Sequence, residues 1–321
     1  MSVAELEARE VSFEQSGGGG LWADAWLRLR RNPGAIAGFV ILGCIVIIAI
    51  FAPLIAPHPP KQQNLSLIKE GCCPGPSREH LFGVDELGRD EFSRIVYGAR
   101  YSLLIGVVSV TVGFFFGSIL GAIAGFVGGA TDSVIMRITD IWLTIPGFLM
   151  AIGIVALLGP GLTQIMIAIG IINVPIFARL LRGTVLAQRE NDFVLAARAV
   201  GVPRRSILGS HILPNAISPV IVQGTLAMAT AIIDVAGLGF LGLGPQDPAT
   251  PEWGTMLSDV NDYLQTAPWL AIVLSVLGFN LIGDGLREAL DPKLRGRTGK
   301  FRERSRLSYL GVGRRKAVSG V

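Results

Sequence analysis

Charged residues are scarce in this sequence. Asp, Glu, Lys and Arg make up 16% of its 321 residues, whereas a typical soluble domain carries about 25%. Five windows contain no charged residue: 32–57, 101–131, 141–178, 212–233 and 263–283. Each can supply the roughly 20 apolar residues of a membrane-spanning helix, and Gly159-Pro160-Gly161 divides the third window in two. The sequence therefore predicts six membrane-spanning helices, and it argues against a soluble fold or a barrel of alternating strands.

Cysteine and histidine are also rare, with three residues of each. Cys44 lies inside the first apolar window, while Cys72 and Cys73 are adjacent in the loop that follows. A vicinal disulfide, two free thiols and bonds to another subunit all remain open for this pair. The histidines are separated along the chain, at His58, His80 and His211. No metal-ligand spacing and no nucleophile–base grouping is present, so the sequence predicts neither a metal site nor an enzyme.

Basic residues are concentrated in three segments. They lie in the N-terminal tail, in the segment 189–215, and in 287–321, which has eleven Lys or Arg against three acids. The loop 237–262 has acids and no basic residue. Because loops rich in Lys and Arg stay on the cytoplasmic side, both termini are expected to be cytoplasmic. The basic flanks suit anionic lipid headgroups rather than nucleic acid.

These patterns predict an all-α membrane protein with both termini inside. Its expected parts, in chain order, are a cytoplasmic tail with an interfacial helix (1–31), a first transmembrane helix (32–57), an extracellular cap (58–96), a transmembrane core (97–288) that contains the cytoplasmic segment 189–215 and the outer loop 237–262, and a basic cytoplasmic tail (289–321).

Glycine recurs at every fourth position of the second window, at Gly113, Gly117, Gly121, Gly125 and Gly129. On a helix this spacing places the glycines along one face, where another backbone can approach closely. We expect the face to pack against another helix of the same chain or against a partner subunit.

The segment 189–215 has the pattern of two short helices. Phe193 to Val200 predicts a helix with an alanine-rich face, Gly201 ends it, and Pro203 begins a second helix. Pro214 then marks the entry to the fifth span. Small residues on a helix–Gly–helix element suit insertion into a groove of another protein.

This segment resembles the coupling motif of ATP-binding-cassette importer permeases. The likeness lies in Ala196-Ala197-Arg198-Ala199-Val200-Gly201 and in the later Ile207, His211, Leu213 and Pro214, with Leu195 at the position where the family commonly has an acid. The resemblance implies that the contacts to an ATPase involve Ala196, Ala197, Gly201, Val202, Ile207, His211 and Pro214.

Other stretches resemble the C-type permease subunit of bacterial dipeptide and oligopeptide importers. They are 82–90 and 97–103 in and after the cap, 240–244 and 251–254 in the outer loop, and 279–287 near the end of the last span. The resemblance implies the fold of a type I importer permease. It also implies a B-type permease partner, two ATP-binding subunits or one fused ATPase, an extracellular substrate-binding protein and a peptide substrate.

The chain lacks the phosphate-binding motif Gly-x-x-x-x-Gly-Lys-[Ser/Thr]. No cofactor is therefore expected in this chain, and ATP with Mg²⁺ is expected in the partner subunits. Polar residues within apolar spans are functional candidates, and Asp234, Asn173 and Asn280 are the candidates for a pathway or gate. Arg137 and Asp140, three residues apart, are expected to pair with each other.

Two alternatives remain. A permease of the same family could carry nickel or another small solute, because cargo specificity in such importers is expected to reside mostly in the binding protein. A stand-alone secondary transporter would show inverted internal repeats, and no convincing repeat joins the halves of this sequence.

Overall fold

The computed structural model describes residues 21–68, 73–247, 249–258 and 267–290. Over these residues the chain is helical, and the one strand-like feature is an isolated bridge between Val84 and Asp90. The chain divides into two compact units. The tail beyond residue 290 and Cys72 of the predicted cysteine pair lie outside the described residues.

The smaller unit comprises residues 1–32 and 285–321. Its helix α1 spans Leu21–Leu29, which confirms the short helix predicted before the first span. The Arg30 guanidinium lies 5.3 Å from the ring centre of Trp26. The Asn32 amide donates a hydrogen bond to the Glu288 carboxylate at 2.6 Å.

The larger unit, residues 33–284, contains the membrane-spanning bundle. Its main helices are α2 Pro33–Ile50, α3 Glu91–Val127, α4 Gly129–Leu143, α5 Gly147–Leu158, α6 Leu162–Arg189, α7 Asp192–Ala199, α8 Ser218–Leu238, α9 Trp253–Ser258 and α10 Ala267–Leu290, whose last residues belong to the smaller unit. Five of them, α2, α3, α6, α8 and α10, are long and apolar enough to cross a membrane.

The third span in chain order differs from the single apolar helix predicted over 141–158, because it is formed by a bent pair of helices. Helices α4 and α5 meet at an angle of 87° across a short break. Helix α4 ends at Leu143, shortly before Pro146, because proline has no N–H for a continuing helix and disfavours helical geometry in the residue before it. Pro146 itself has an extended ψ of 122° before α5 begins. With 12 residues, α5 is only about 18 Å long, so it needs α4 to cross a core of roughly 30 Å.

Helix α3 begins ten residues before the apolar window that predicted it, inside the range assigned to the cap. Asp90 caps its first turn by accepting a hydrogen bond from the Ser93 amide at 2.8 Å. Glu91 and Arg94, in its first turn, are buried. At 37 residues the helix is about 55 Å long, so it extends well beyond a bilayer core.

The glycine stripe of α3 packs within the chain, as predicted, at four of its five positions. A Cβ added at Gly113 would lie 2.5 Å from the Asn173 Cβ, and one at Gly117 would lie 2.5 Å from the Val174 carbonyl oxygen. Gly121 and Gly125 approach the next turns of α6 in the same way. Gly129 is the exception, because it begins α4 with a φ of 59° and has open space around it.

The order of these contacts gives the direction of the two helices. Successive glycines of α3 meet successively later residues of α6, so the helices run parallel. The start of α3 and the end of α6 therefore lie at opposite ends of the bundle. The core between them and α8 consists of large apolar side chains that include Ile105, Ile169, Phe177 and Leu181.

Candidate functional site: the segment between α6 and α8

The chain leaves α6 at Arg189 and forms the predicted pair of short helices. Helix α7 ends at Ala199. Gly201, two residues later, has a φ of 83°, and its amide donates to the Arg198 carbonyl at 3.0 Å. Left-handed geometry of this kind favours glycine at a helix end. Pro203 then begins a second helical stretch, which contains a π-helical turn at Ile207–Ile212 and leads into α8. We call residues 189–215 the coupling segment.

One face of the coupling segment is anchored in the bundle. Val194, Ile207 and Ile212 are at most 1% exposed. They belong to the same buried cluster as Leu181 and Val185 of α6. The segment is therefore continuous with the membrane core rather than a loose loop.

The opposite face is apolar and uncovered. Leu195 is 50% exposed and Val200 is 84% exposed, and Phe193 is also exposed. A Cβ added at Gly201 would meet no other atom of the chain within 4 Å. We call Phe193, Leu195, Ala196, Val200 and Gly201 the outer face.

The predicted coupling residues divide between these two faces. Ala196, Gly201 and Pro214 are exposed. Ala197 and Val202 are half-buried against the core and are joined by a backbone hydrogen bond of 3.0 Å.

Two of the predicted residues lie deeper. Ile207 is buried, so it supports the segment from inside. His211 is half-buried, and its Nδ1 has no hydrogen-bond partner in the described part of the chain.

The three pathway candidates lie on different helices. Asn173 of α6 is buried, and its side-chain amide donates to the Ile169 carbonyl at 2.8 Å. Its Cβ also packs on Gly113, so it belongs to the α3–α6 contact. Asp234 of α8 and Asn280 of α10 are half-buried. Among the described residues, no hydrogen bond or ion pair joins any two of the three.

Two carboxylates of α4 form ion pairs with arginines of α6 rather than with residues of α4 itself. Arg182 forms two hydrogen bonds with the Asp132 carboxylate, at 2.5 and 2.6 Å. Asp140 pairs with Arg179, so the predicted pairing with Arg137 is wrong. The bend after α4 lets its polar side lie along α6, which sequence spacing on one helix could not indicate.

The end of the bundle opposite the coupling segment has a polar interior. Glu252 of the outer loop is fully buried and accepts hydrogen bonds from the amides of Gly254 and Thr255 at 2.8 and 2.9 Å. The Ser102 hydroxyl of α3 also donates a hydrogen bond to the Glu252 carboxylate, at 3.4 Å. Burial raises the pKa of the Glu252 carboxyl above its usual value, and these hydrogen bonds oppose the shift.

Trp253 fixes the outer loop to the start of α3. Its indole N–H donates to the Ile95 carbonyl at 3.1 Å, and the ring occupies the space that a side chain at Gly98 would need. The outer loop and the cap therefore meet around the first turns of α3.

A comparison with known families decides what this bundle is. The profile of the family described as binding-protein-dependent transport system inner membrane component matches residues 117–296. The profile of the N-terminal transmembrane domain of oligopeptide transport permease C matches residues 20–70. The chain belongs to the family of binding-protein-dependent inner membrane permeases.

Curated relatives cover most of this permease. A dipeptide transport system permease protein, DppC, of Alkalihalophilus pseudofirmus is 51% identical over 85% of this chain and 90% of its own. A di/tripeptide permease of Pseudomonas aeruginosa is 46% identical over 84% of this chain and 91% of its own length. A glutathione permease, GsiD, of Escherichia coli O157:H7 is 44% identical over 86% of this chain and 91% of its own length.

Solved structures share the permease fold. A chain of the MetNI methionine ABC transporter in an inward-facing conformation superposes with a TM-score of 0.52 at 18% identity, over 62% of this chain and 96% of that one. A second crystal form gives the same TM-score at 21% identity. The predicted fold class, an all-α importer permease, is therefore confirmed, and the protein is a multi-pass inner membrane protein.

Sequence reasoning missed two features of this permease. The first is the exposure of Phe193 and Val200, which the spacing of apolar residues beside Ala196 on α7 could have indicated. The second is a cluster in the cap, where the structure brings together His58 and His80, which the sequence separates.

Proposed function

We propose that this permease forms, with a B-type permease partner, the path through which an ATP-driven importer carries di- and oligopeptides. The observation that carries the proposal is the two-sided coupling segment. Its inner face is continuous with the core of α6 and α8, while its outer face presents exposed apolar and small residues. Such a face suits the groove of a partner rather than contact with water.

The same arrangement supports a mechanism. An ATPase that holds the outer face would move α7 together with α6 and α8, because Val194 and Ile207 lock the segment to them. Closure and opening of the ATPases would then shift the bundle between inward-open and outward-open states. Contacts that differ between the two states supply the driving free energy.

The proposal assigns the remaining components to other chains. Two ATP-binding subunits, or one fused ATPase, bind ATP and Mg²⁺ on the cytoplasmic side, so that this chain needs no nucleotide site of its own. An extracellular binding protein delivers the substrate to the end of the bundle that carries the cap. Both termini lie in the cytoplasm, as the basic flanks of the spans favour.

Peptides are the proposed cargo because the three relatives compared above are named for a dipeptide, for di- and tripeptides, and for glutathione. Uptake of labelled di-, tri- and pentapeptides by the reconstituted complex, measured beside nickel, tests this assignment. ATP-dependent uptake of peptides is expected. Uptake of nickel without any peptide would contradict the cargo, and transport by this chain without an ATPase would contradict the mechanism.

A substitution on the outer face tests the docking itself. Val200→Glu places a charge in the middle of the apolar face, so peptide-stimulated ATP hydrolysis by the complex is expected to fall at least tenfold. Asn191→Asp is the matched control, since it adds the same charge at an exposed position of the segment and retains a residue that caps helices well. Equal coupling in the two variants would contradict docking at the outer face.

A further inference from the structure

Three side chains from distant parts of the chain meet in the cap. His58 follows the end of the first span, His80 lies in the middle of the cap, and Asp90 caps α3. One ring nitrogen of each histidine and one carboxylate oxygen of Asp90 all lie within 4.8 Å of one another. The imidazole rings themselves are 4.8 Å apart between their centres.

Each imidazole makes one close polar contact through a ring nitrogen. His58 Nε2 lies 3.1 Å from the Glu79 carbonyl oxygen, and His80 Nδ1 lies 2.9 Å from Asp90 Oδ1. Histidines that bind metals usually make a hydrogen bond like that of His58 to a group that is not itself a ligand, because it fixes the tautomer and the ring orientation. The contact between His80 and Asp90 instead places two of the three candidate ligand atoms side by side. Because a carbonyl oxygen only accepts hydrogen bonds, Nε2 of His58 is the donor in its contact with Glu79, and Nδ1 is the ring nitrogen that remains for an ion.

The backbone around the three residues is fixed as well. The His58 amide donates to the Ser93 hydroxyl at 3.2 Å, and the Ser93 amide donates to Asp90 Oδ2 at 2.8 Å. The His80 amide donates to the Ser77 hydroxyl at 3.0 Å. The ligand atoms are therefore positioned by a network rather than by flexible surface side chains.

The carboxylate is buried and the histidines are accessible in part. The Asp90 side chain is 1% exposed and that of His80 is 14% exposed. A divalent cation bound by the two ring nitrogens would lie against this buried carboxylate. The partial exposure of His80 gives an ion a route from solvent.

We propose that His58, His80 and Asp90 bind one divalent transition-metal ion in the cap, with Zn²⁺ as the first candidate. Imidazole nitrogen with one carboxylate suits Zn²⁺ and its neighbours in the transition series, whereas Mg²⁺ and Ca²⁺ prefer oxygen ligands. Three protein ligands leave a fourth position for water or for a ligand from a partner.

The ion would join three segments that the chain separates. It would tie the end of the first span and the cap loop to the first turn of α3, against which the outer loop packs through Trp253. The cap would then be more rigid with the ion than without it. Metal binding can be read without transport, so its failure is distinct from failure of the proposed function.

The test is zinc binding by the purified, tag-free complex in detergent. After dialysis against a chelator, the complex is titrated with Zn²⁺ in competition with a fluorescent zinc indicator, and its thermal unfolding is followed with and without the ion. One Zn²⁺ per copy of this chain and a higher Tm are expected for the wild type. The double variant His58→Gln/His80→Gln is expected to lose both.

Two further variants separate binding from folding. Asp90→Asn can still cap α3, because asparagine caps helices as well as aspartate does, and it is expected to bind Zn²⁺ at least tenfold more weakly. Glu86→Gln is the matched control, since Glu86 is an exposed carboxylate of the same cap, and it is expected to bind as the wild type does. Equal zinc affinity and an equal Tm shift in the wild type and the double variant would overturn the site.

Discussion

The cap and the coupling segment lie at opposite ends of the parallel helices α3 and α6, and they differ in what they bury. The cap, with the outer loop, buries polar side chains such as Asp85, Arg89 and Glu252. The coupling segment buries aliphatic side chains and leaves apolar ones exposed. The difference suggests that one end is built to hold its shape and the other to be completed by a partner.

Ion pairs and capped turns hold the polar end together. The Arg89 guanidinium is 2.6 Å from the Asp85 carboxylate, and the same carboxylate accepts the Arg89 and Leu87 amides. Buried polar groups of this kind cost little when every partner is present and a great deal when one is removed. Substitutions in the cap should therefore affect stability more than substitutions on the outer face.

The largest loss of stability is expected for Glu252→Ala. The buried Gly254 amide and the partly buried Thr255 amide would lose their acceptor, and a cavity would remain, which together cost about 3 kcal/mol or more. Differential scanning fluorimetry of the purified complex measures the change in Tm. Glu86→Ala, at an exposed carboxylate of the cap, is the control, and an equal Tm loss in both variants would show that burial of Glu252 is not what matters.

Gly201→Ala is expected to have a smaller effect. The φ of 83° at this position disfavours any residue with a Cβ by about 1–2 kcal/mol, although no atom of the chain obstructs the methyl group. Gly209→Ala in the same segment is the control, because Gly209 also has open space and its φ is not positive. The same Tm in both alanine variants would contradict backbone strain as the cause.

The pH dependence of stability should distinguish the polar end further. Because burial raises the pKa of Glu252 in the folded protein, the folded state binds more protons than the unfolded state between the two pKa values. Stability should therefore fall as pH rises from the unfolded carboxyl pKa of about 4.3 through the raised folded value, by at most about 1.4 kcal/mol per pH unit. Glu252→Gln should flatten this slope of Tm against pH, and an unchanged slope would contradict it.

The smallest change in stability is expected for Val200→Ser. Val200 is 84% exposed, and exposed substitutions usually change stability by less than about 0.5 kcal/mol. The same variant should nevertheless weaken ATP-coupled uptake, since it removes an apolar contact with the proposed ATPase. A Tm loss as large as that of Glu252→Ala would remove the contrast between the two ends.

The two ends also differ in how far they could be predicted. The helix–Gly–helix pattern of the coupling segment is local, so Gly201 and Pro203 were enough to predict its bounds. The cluster of His58, His80 and Asp90 depends on the path of the cap loop, which no local spacing encodes.

In the bundle, too, local patterns could be predicted from the sequence and contacts between distant segments could not. Long apolar windows predicted the continuous spans, and the glycine spacing predicted the close contact of α3 with α6. The bend of the third span and the part that α4 contributes to it were missed, because Asp132 and Asp140 interrupt the apolar pattern of α4. Their charges are accommodated by Arg182 and Arg179 of α6, which lie about 40 to 50 residues away in the sequence.

The most direct test of the central claim is cross-linking from Val200→Cys in the intact, membrane-embedded complex. A bifunctional thiol–amine reagent is added, and the cross-linked peptides are identified by mass spectrometry, with Glu86→Cys in the cap as the comparison. We expect Val200→Cys to link to an ATP-binding subunit and Glu86→Cys to link to none. Links from the cap to the ATPase, or none from Val200→Cys in a complex that hydrolyses ATP, would contradict the account.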